Sequence, residues 1–151
     1  MDLNAQWIVG FTDGEGCFYV GIHPNLQMTQ KVQVLPEFTV VQHQRDIKVL
    51  YALKEYFGCG VVRVNHGNRY CYRVRGHANL LEKILPFFEK HSLKTMKRID
   101  FEKFRDVVLL MEKKEHLTVE GLLSIRQIQK TMNRSGSMKT QPYLSDDPER
   151  S

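Results

Sequence analysis

The side chains most able to do chemistry are concentrated in one run near the start of the chain, Trp7-Ile8-Val9-Gly10-Phe11-Thr12-Asp13-Gly14-Glu15-Gly16. Two carboxylates, Asp13 and Glu15, flank Gly14 where a helical pattern gives way to a strand pattern. A carboxylate held near a phosphate ester repels it unless a cation lies between, so such a pair beside a basic surface calls for a divalent metal. Gly10 and Gly14 stand four apart on one helix face and allow a second backbone to approach closely. Glu15, just past the helix, then falls at the seam between two copies. A plain turn accounts for neither the paired glycines nor the basic strands that follow. A calcium loop does not fit: counting from Asp13, Cys17 stands where a third oxygen ligand belongs and Pro24 where the closing Glu belongs. Cys17, Cys59 and Cys71 are odd in number, far apart and without a C-x-x-C pair, which supports neither a disulfide framework nor a zinc site. They read as reduced, buried or half-buried thiols.

The elements that must position these residues follow from periodicity. A short helix is predicted from Ala5 to Asp13, with Asn4 as N-cap and Trp7, Gly10, Phe11 and Gly14 along one face. Strands follow at Cys17 to His23 and Lys31 to Val41, the second carrying Pro36 as a mark of an edge or bulge. Asp46 is the expected cap of a second helix through Leu50, Leu53 and Phe57, stopped by Gly58. A hairpin pairs a strand through Val62 and Val64 with one through Tyr70, Tyr72 and Val74. Three helices complete the order: Ala78 to Phe88, broken by Pro86; Met96 to Glu115; and Val119 to Asn133, capped by Thr118.

This order, α-β-β-α-β-β-α-α-α, describes an α+β fold with four strands in one antiparallel sheet and helices on one face. In each strand the exposed residues fall on odd numbers. That face collects Tyr19, Gly21, His23, Lys31, Gln33, Thr39, Arg63, Asn65, Arg69, Arg73 and Arg75, joined by the turn residue Asn25 and with Glu37 as its one acid. Val62, Val64, Tyr72 and Val74 are expected on the helix side. Ordinary solvated faces mix both signs of charge, so this surface points to a polyanion. Over all 151 residues, 22 Lys and Arg against 17 Asp and Glu leave a net charge of +5, and nucleic acid leads the candidate partners. With 42% hydrophobic residues one folded domain over residues 1–133 is expected, followed by a tail, 134–151, with as many acids as bases and no apolar periodicity. No apolar run is long enough to span a membrane and no signal peptide is evident, so the reading is an intracellular protein.

The run Ile8-Val9-Gly10-Phe11-Thr12-Asp13-Gly14-Glu15-Gly16 resembles, without a gap, the signature of the LAGLIDADG homing endonucleases. Phe38-Thr39-Val40-Val41-Gln42, Leu93-Lys94, His116-Leu117-Thr118-Val119-Glu120-Gly121-Leu122 and the element order extend the resemblance to about residue 133. The resemblance implies an α-β-β-α-β-β-α domain with a saddle-shaped sheet and a site-specific double-strand DNA endonuclease, commonly encoded within an intron. By position Glu15 is similar to the metal-binding acid, the Gly14 carbonyl to a second metal ligand, Gln42 to a polar residue that orients water, and Lys94 to a lysine near the scissile phosphate. Asp13 matches an acid that is structural in that family. Some relatives carry an Arg where this chain has Asp46, and Arg45 beside it is the expected substitute.

A single copy of the motif implies a homodimer that pairs through Trp7, Gly10, Phe11 and Gly14, because one site per subunit cuts one strand. The expected reaction is Mg2+-dependent hydrolysis of phosphodiester bonds, with Mn2+ able to substitute and Ca2+ supporting binding without efficient cleavage. It leaves 5′-phosphates and short 3′ overhangs. A sheet covering about ten base pairs per copy gives a pseudo-palindromic target of about twenty. Two rival readings are a maturase acting on the RNA of its host intron and a non-catalytic DNA-binding module on the same fold. The compartment expected is the cytoplasm of a prokaryote or an organelle, chloroplast or mitochondrion.

Overall fold

The computed structural model describes residues 1–133; the expected tail, 134–151, lies outside them. Helix α1 (Ala5–Glu15) opens the fold, with the Asn4 side chain accepting the Trp7 N–H at 2.9 Å as the sequence predicts. It runs two residues past the expected end, so Asp13 and Glu15 both sit in its last turn. Strands β1 (Gly16–Pro24) and β2 (Val32–His43) form a long antiparallel pair, α2 (Ile47–Phe57) follows, and β3 (Val61–His66) and β4 (Arg69–Val74) make the hairpin. The remaining helices are α3 (His77–Asn79), α4 (Leu85–Lys90), α5 (Lys97–Glu112) and α6 (Val119–Lys130).

The four strands make one antiparallel sheet in the order β1-β2-β4-β3. Its even-numbered face is the floor of the core: Phe18, Val20, Val34, Phe38, Val40, Tyr72 and Val74 are buried there. Helices supply the other side through Leu50, Leu53 and Phe57, Leu80, Ile84 and Phe88, and Phe101, Phe104 and Val108. Phe18 is the hub, stacked on Phe38 with ring centroids 5.1 Å apart and edge-on to Phe88 at 5.4 Å. The predicted fold class therefore holds, and so does the even-numbered core face of β1, β2 and β4.

Pro36 marks an open edge, one of its two expected roles, and no bulge: it pairs in register with Val20, and β4 reaches only as far as Phe38 along β2. Three local expectations fail. Pro86 does not break a helix. A π-wound segment, Leu80–Ile84, joins α3 to α4, and Pro86 falls in the first turn of α4, where a missing N–H is tolerated. Asp46 makes no side-chain cap on α2, because it closes a 3-10 turn, Gln44–Asp46, and its carboxylate faces Arg45 instead. Val64 is 54% exposed rather than packed under the helices.

The outer edge of β1 is covered by the end of α6 and the residues just after it. The Gln129 side chain donates to the Val20 carbonyl at 2.7 Å and the Asn133 side chain to the Phe18 carbonyl at 3.0 Å. These amides satisfy strand carbonyls that would otherwise invite another strand. Among the described residues no helix is long and apolar enough to cross a membrane.

Candidate active site and nucleic-acid interface

The acidic corner is built where α1 runs into β1. The Gly16 N–H bonds to the Thr12 carbonyl, which closes the helix and leaves the carbonyls of its final turn without helical donors. No basic residue of α1 itself lies in that turn, so any charge that offsets the negative end of the helix dipole must come from elsewhere in the chain. Glu15 is exposed there. Gln42, near the end of β2, donates through Nε2 to Glu15 Oε1 at 2.9 Å and to the Val41 carbonyl at 2.8 Å. Both amide protons are thus committed, and its Oε1 remains an acceptor for water. A strand end and a helix end separated by 27 residues hold one carboxylate in place.

Asp13 faces the other way and organises a loop. Its Oδ2 accepts the Lys94 N–H at 2.8 Å, and its Oδ1 accepts the Thr95 N–H at 3.1 Å and the Thr95 hydroxyl at 2.7 Å. Burial acts to raise its pKa, but these donors and the nearby Lys97 ammonium outweigh it and hold the carboxyl below its ordinary value of 3.8. Lys94 is therefore fixed to the corner by its backbone, with its side chain exposed. Lys97 is the residue that sequence reasoning missed: its Nζ donates to the Gly16 carbonyl, at the junction of α1 and β1. Only the fold reveals it, because its contact lies 81 residues away in sequence. Burial pushes the Cys17 thiol beside it upward, with Lys97 pulling the other way.

The donor set at this corner suits a hard cation: the Glu15 carboxylate and the free Gly14 carbonyl are oxygen ligands at the negative end of a helix. Among the described residues no group of three or more His, Cys, Asp or Glu side chains is placed to hold a metal ion. Water and phosphate oxygens must complete any coordination shell.

On the odd-numbered sheet face, Tyr19, His23, Arg63 and Arg69 are exposed and Gln33, Thr39 and Arg73 half-buried. Three expected members of that face differ. Gly21 lies on it but is buried, since an added Cβ would come within 2.6 Å of His23 Nε2 and 3.3 Å of the Tyr19 ring; it makes room for those rings and offers no surface. Lys31 precedes β2 in a left-handed turn (φ 63°), where its carbonyl accepts the Asn25 N–H at 2.8 Å; Asn25 and Lys31 thus form the distal loop. Asn65 has no partner on β4, because the register shifts between Val64 and His66, and the alternation expected of it is lost. Arg75 stands just past β4 and pairs with Glu37 at 2.8 Å, neutralising the acid of this face. Arg45 is exposed, and its guanidinium lies 4.0 Å from Asp46.

Along α1, Trp7 and Phe11 stack with ring centroids 4.7 Å apart, and Trp7 is 41% exposed. A Cβ added at Gly10 or Gly14 would meet nothing within 4 Å. The fold of the single chain therefore does not require either glycine.

The fold thus sets an antiparallel sheet with a basic outer face beside a helix-borne acid at its corner. The chain belongs to the LAGLIDADG endonuclease family, whose profile matches residues 8–108. It is similar to the homing endonuclease I-TnaI, whose crystal structure superposes with a TM-score of 0.86 at 53% identity over 97% of this chain and 99% of that one. I-SmaMI, solved bound to an uncleaved DNA target in the presence of calcium ions, matches with a TM-score of 0.86 at 36% identity over 88% of this chain and 46% of its own. A probable intron-encoded endonuclease of Neurospora crassa is 28% identical over 90% of this chain. The chain spans 29%, 26% and 24% of the length of the first three curated relatives it matches. The homing endonuclease I-ApeII of Aeropyrum pernix is 30% identical, with 78% of this chain and 70% of that protein covered.

Proposed function

We propose that this chain is a site-specific, divalent-metal-dependent DNA endonuclease that acts as a pair of identical units on a pseudo-palindromic duplex of about twenty base pairs. One observation carries the reading: the Glu15 carboxylate is held by Gln42 at the end of α1, beside a helix face whose glycines are open to a second copy. The likeness to I-TnaI and to DNA-bound I-SmaMI supports it. Each unit brings one acid to one strand, and a two-fold pair brings two. The relatives whose names describe them as intron-encoded support an intron as the genetic element.

Glu15 and the Gly14 carbonyl would hold Mg2+, with Mn2+ as a substitute and Ca2+ as a poor one for cleavage. When bound, the metal supplies neutralising charge at the phosphate and a more acidic water. Gln42 keeps Glu15 in its rotamer and accepts a hydrogen bond from water through its free Oε1. Lys94, on the loop tied to Asp13, and Lys97, at the Gly16 carbonyl, bring positive charge to the scissile phosphate. The odd-numbered sheet face lies in the major groove, and cutting across the minor groove leaves short 3′ overhangs.

The test is Glu15→Gln. The variant should bind a duplex selected by the wild type with unchanged affinity in Ca2+, and its single-turnover cleavage in Mg2+ should fall by at least about 100-fold. Cleavage at the wild-type rate removes Glu15 from the mechanism.

A further inference from the structure

One cross-strand row of the sheet adds two histidines, His43 and His66, to Arg69 of the basic face. His43 on β2 lies opposite Arg69 on β4, and Arg69 lies opposite His66 on β3. Directly opposed residues of an antiparallel pair share a face, so a guanidinium stands between two imidazoles. His66 joins this row only through the register shift at Asn65, since parity alone would turn it toward the helices. Arg69 and His66 are exposed and His43 half-buried.

The row is held in place. His43 Nδ1 accepts the Arg45 N–H at 3.0 Å, and the Gln44 N–H donates to the Asn68 carbonyl at 2.8 Å, which ties the hairpin tip to the turn after β2. With Nδ1 occupied as an acceptor, a neutral His43 carries its proton on Nε2 and presents one donor at the outer edge of the ring. His43 also follows Gln42, the residue that holds Glu15, so the row stands at the corner of the sheet nearest the acid.

We infer that His43, Arg69 and His66 form one specificity-determining row that reads purines in the major groove next to the cleavage position. Arg69 offers a fork matched to guanine O6 and N7, and each imidazole offers a single N–H to an acceptor such as purine N7. Contacts to phosphate would weaken all sequences alike, whereas base contacts act on particular positions. This inference rests on the DNA reading above and adds to it the residues that set the base preference nearest the cut.

The experiment uses a duplex selected by the wild-type chain from a randomised library in Ca2+, and its full set of single-base variants. Affinity is profiled for His43→Ala, Arg69→Ala, His66→Ala and His66→Gln, with Glu55→Ala on the exposed side of α2 as the control. His43→Ala, His66→Ala and Arg69→Ala should each lower discrimination by about 5- to 150-fold at one or two adjacent positions of each half-site, leaving other positions unchanged. His66→Gln, which keeps a donor, should retain part of that preference, and Glu55→Ala should match the wild type. A wild-type profile for His66→Ala, an equal loss at all positions, or a change with Glu55→Ala as large as with His66→Ala overturns the row. A wild type that selects no duplex overturns the DNA reading and the row with it.

Discussion

The two carboxylates of the signature run divide their labour through their partners rather than their types. Glu15 keeps one hydrogen-bond partner, the Gln42 amide, and stays exposed to a ligand, whereas Asp13 is consumed by three donors of the loop at residues 94 and 95. Those donors favour the charged form of Asp13, so its pKa is depressed in the folded chain. A depressed carboxyl stabilises the fold above the unfolded pKa near 3.8, and the contribution is lost as pH falls through the lower folded value. Asp13→Asn should therefore cost about 1 to 2 kcal/mol at pH 7, a modest figure for a partly exposed site. The gap between variant and wild type should close below pH 3.8, as followed by chemical denaturation across the acid range. A gap that persists undiminished at pH 2.5, or none at pH 7, would show that the charge of Asp13 is not what holds the loop.

Elements carry information that single residues do not, and α1 shows it most clearly. Glycine inside a helix costs roughly 1 kcal/mol relative to alanine, yet α1 carries two that the chain's own packing leaves untouched. Gly10→Ala should therefore raise the stability of the separated chain by about 0.5 to 1 kcal/mol. The same substitution should weaken self-association at least about tenfold, because a methyl group at the seam separates the backbones. Sedimentation across a dilution series measures the second effect, and denaturation at the dilute end the first. Association unchanged by Gly10→Ala and Gly14→Ala would move the contact off this face. Gln129 of α6 and Asn133 just beyond it cap the β1 edge through its Val20 and Phe18 carbonyls, and β3 is the strand at the sheet's other margin.

At the scale of the whole molecule, the acid of the basic sheet face is neutralised from within the chain. Glu37 lies opposite Tyr19 on the sheet face, and Arg75, just past the end of the neighbouring β4, donates to its carboxylate at 2.8 Å. Removing the arginine leaves an unpaired carboxylate against phosphate. Arg75→Ala should accordingly weaken DNA binding by more than a single lost phosphate contact, about 10- to 100-fold at low salt. Glu37→Ala combined with Arg75→Ala should recover most of that loss. A double variant as weak as Arg75→Ala alone would mean that Arg75 contacts DNA directly rather than screening Glu37. Titration against salt separates the two, since only a lost phosphate contact lowers the slope of affinity on salt by about one.

The sequence by itself determined the element order, the even-numbered core face of the sheet, the Asn4 and Thr118 caps, and the candidate acid at Glu15. These follow from local periodicity, turn chemistry and a gapless signature, all of which act over a few residues. The family followed from the same run, and the match over residues 8–108 bears it out. What only the tertiary structure decided depends on contacts between residues far apart in the chain. Lys97 meets Gly16 across 81 residues, and Asp13 meets the loop at Lys94 across the same distance. The shift that removes Asn65 from the alternation and brings His66 opposite Arg69 is a property of two paired strands. Pro86 reads as a helix breaker by propensity, yet the preceding π turn lets it begin α4. Val64 reads as core by parity, yet more than half of its surface stays open. Periodicity assigns a side chain to a face, and only packing determines whether anything stands opposite.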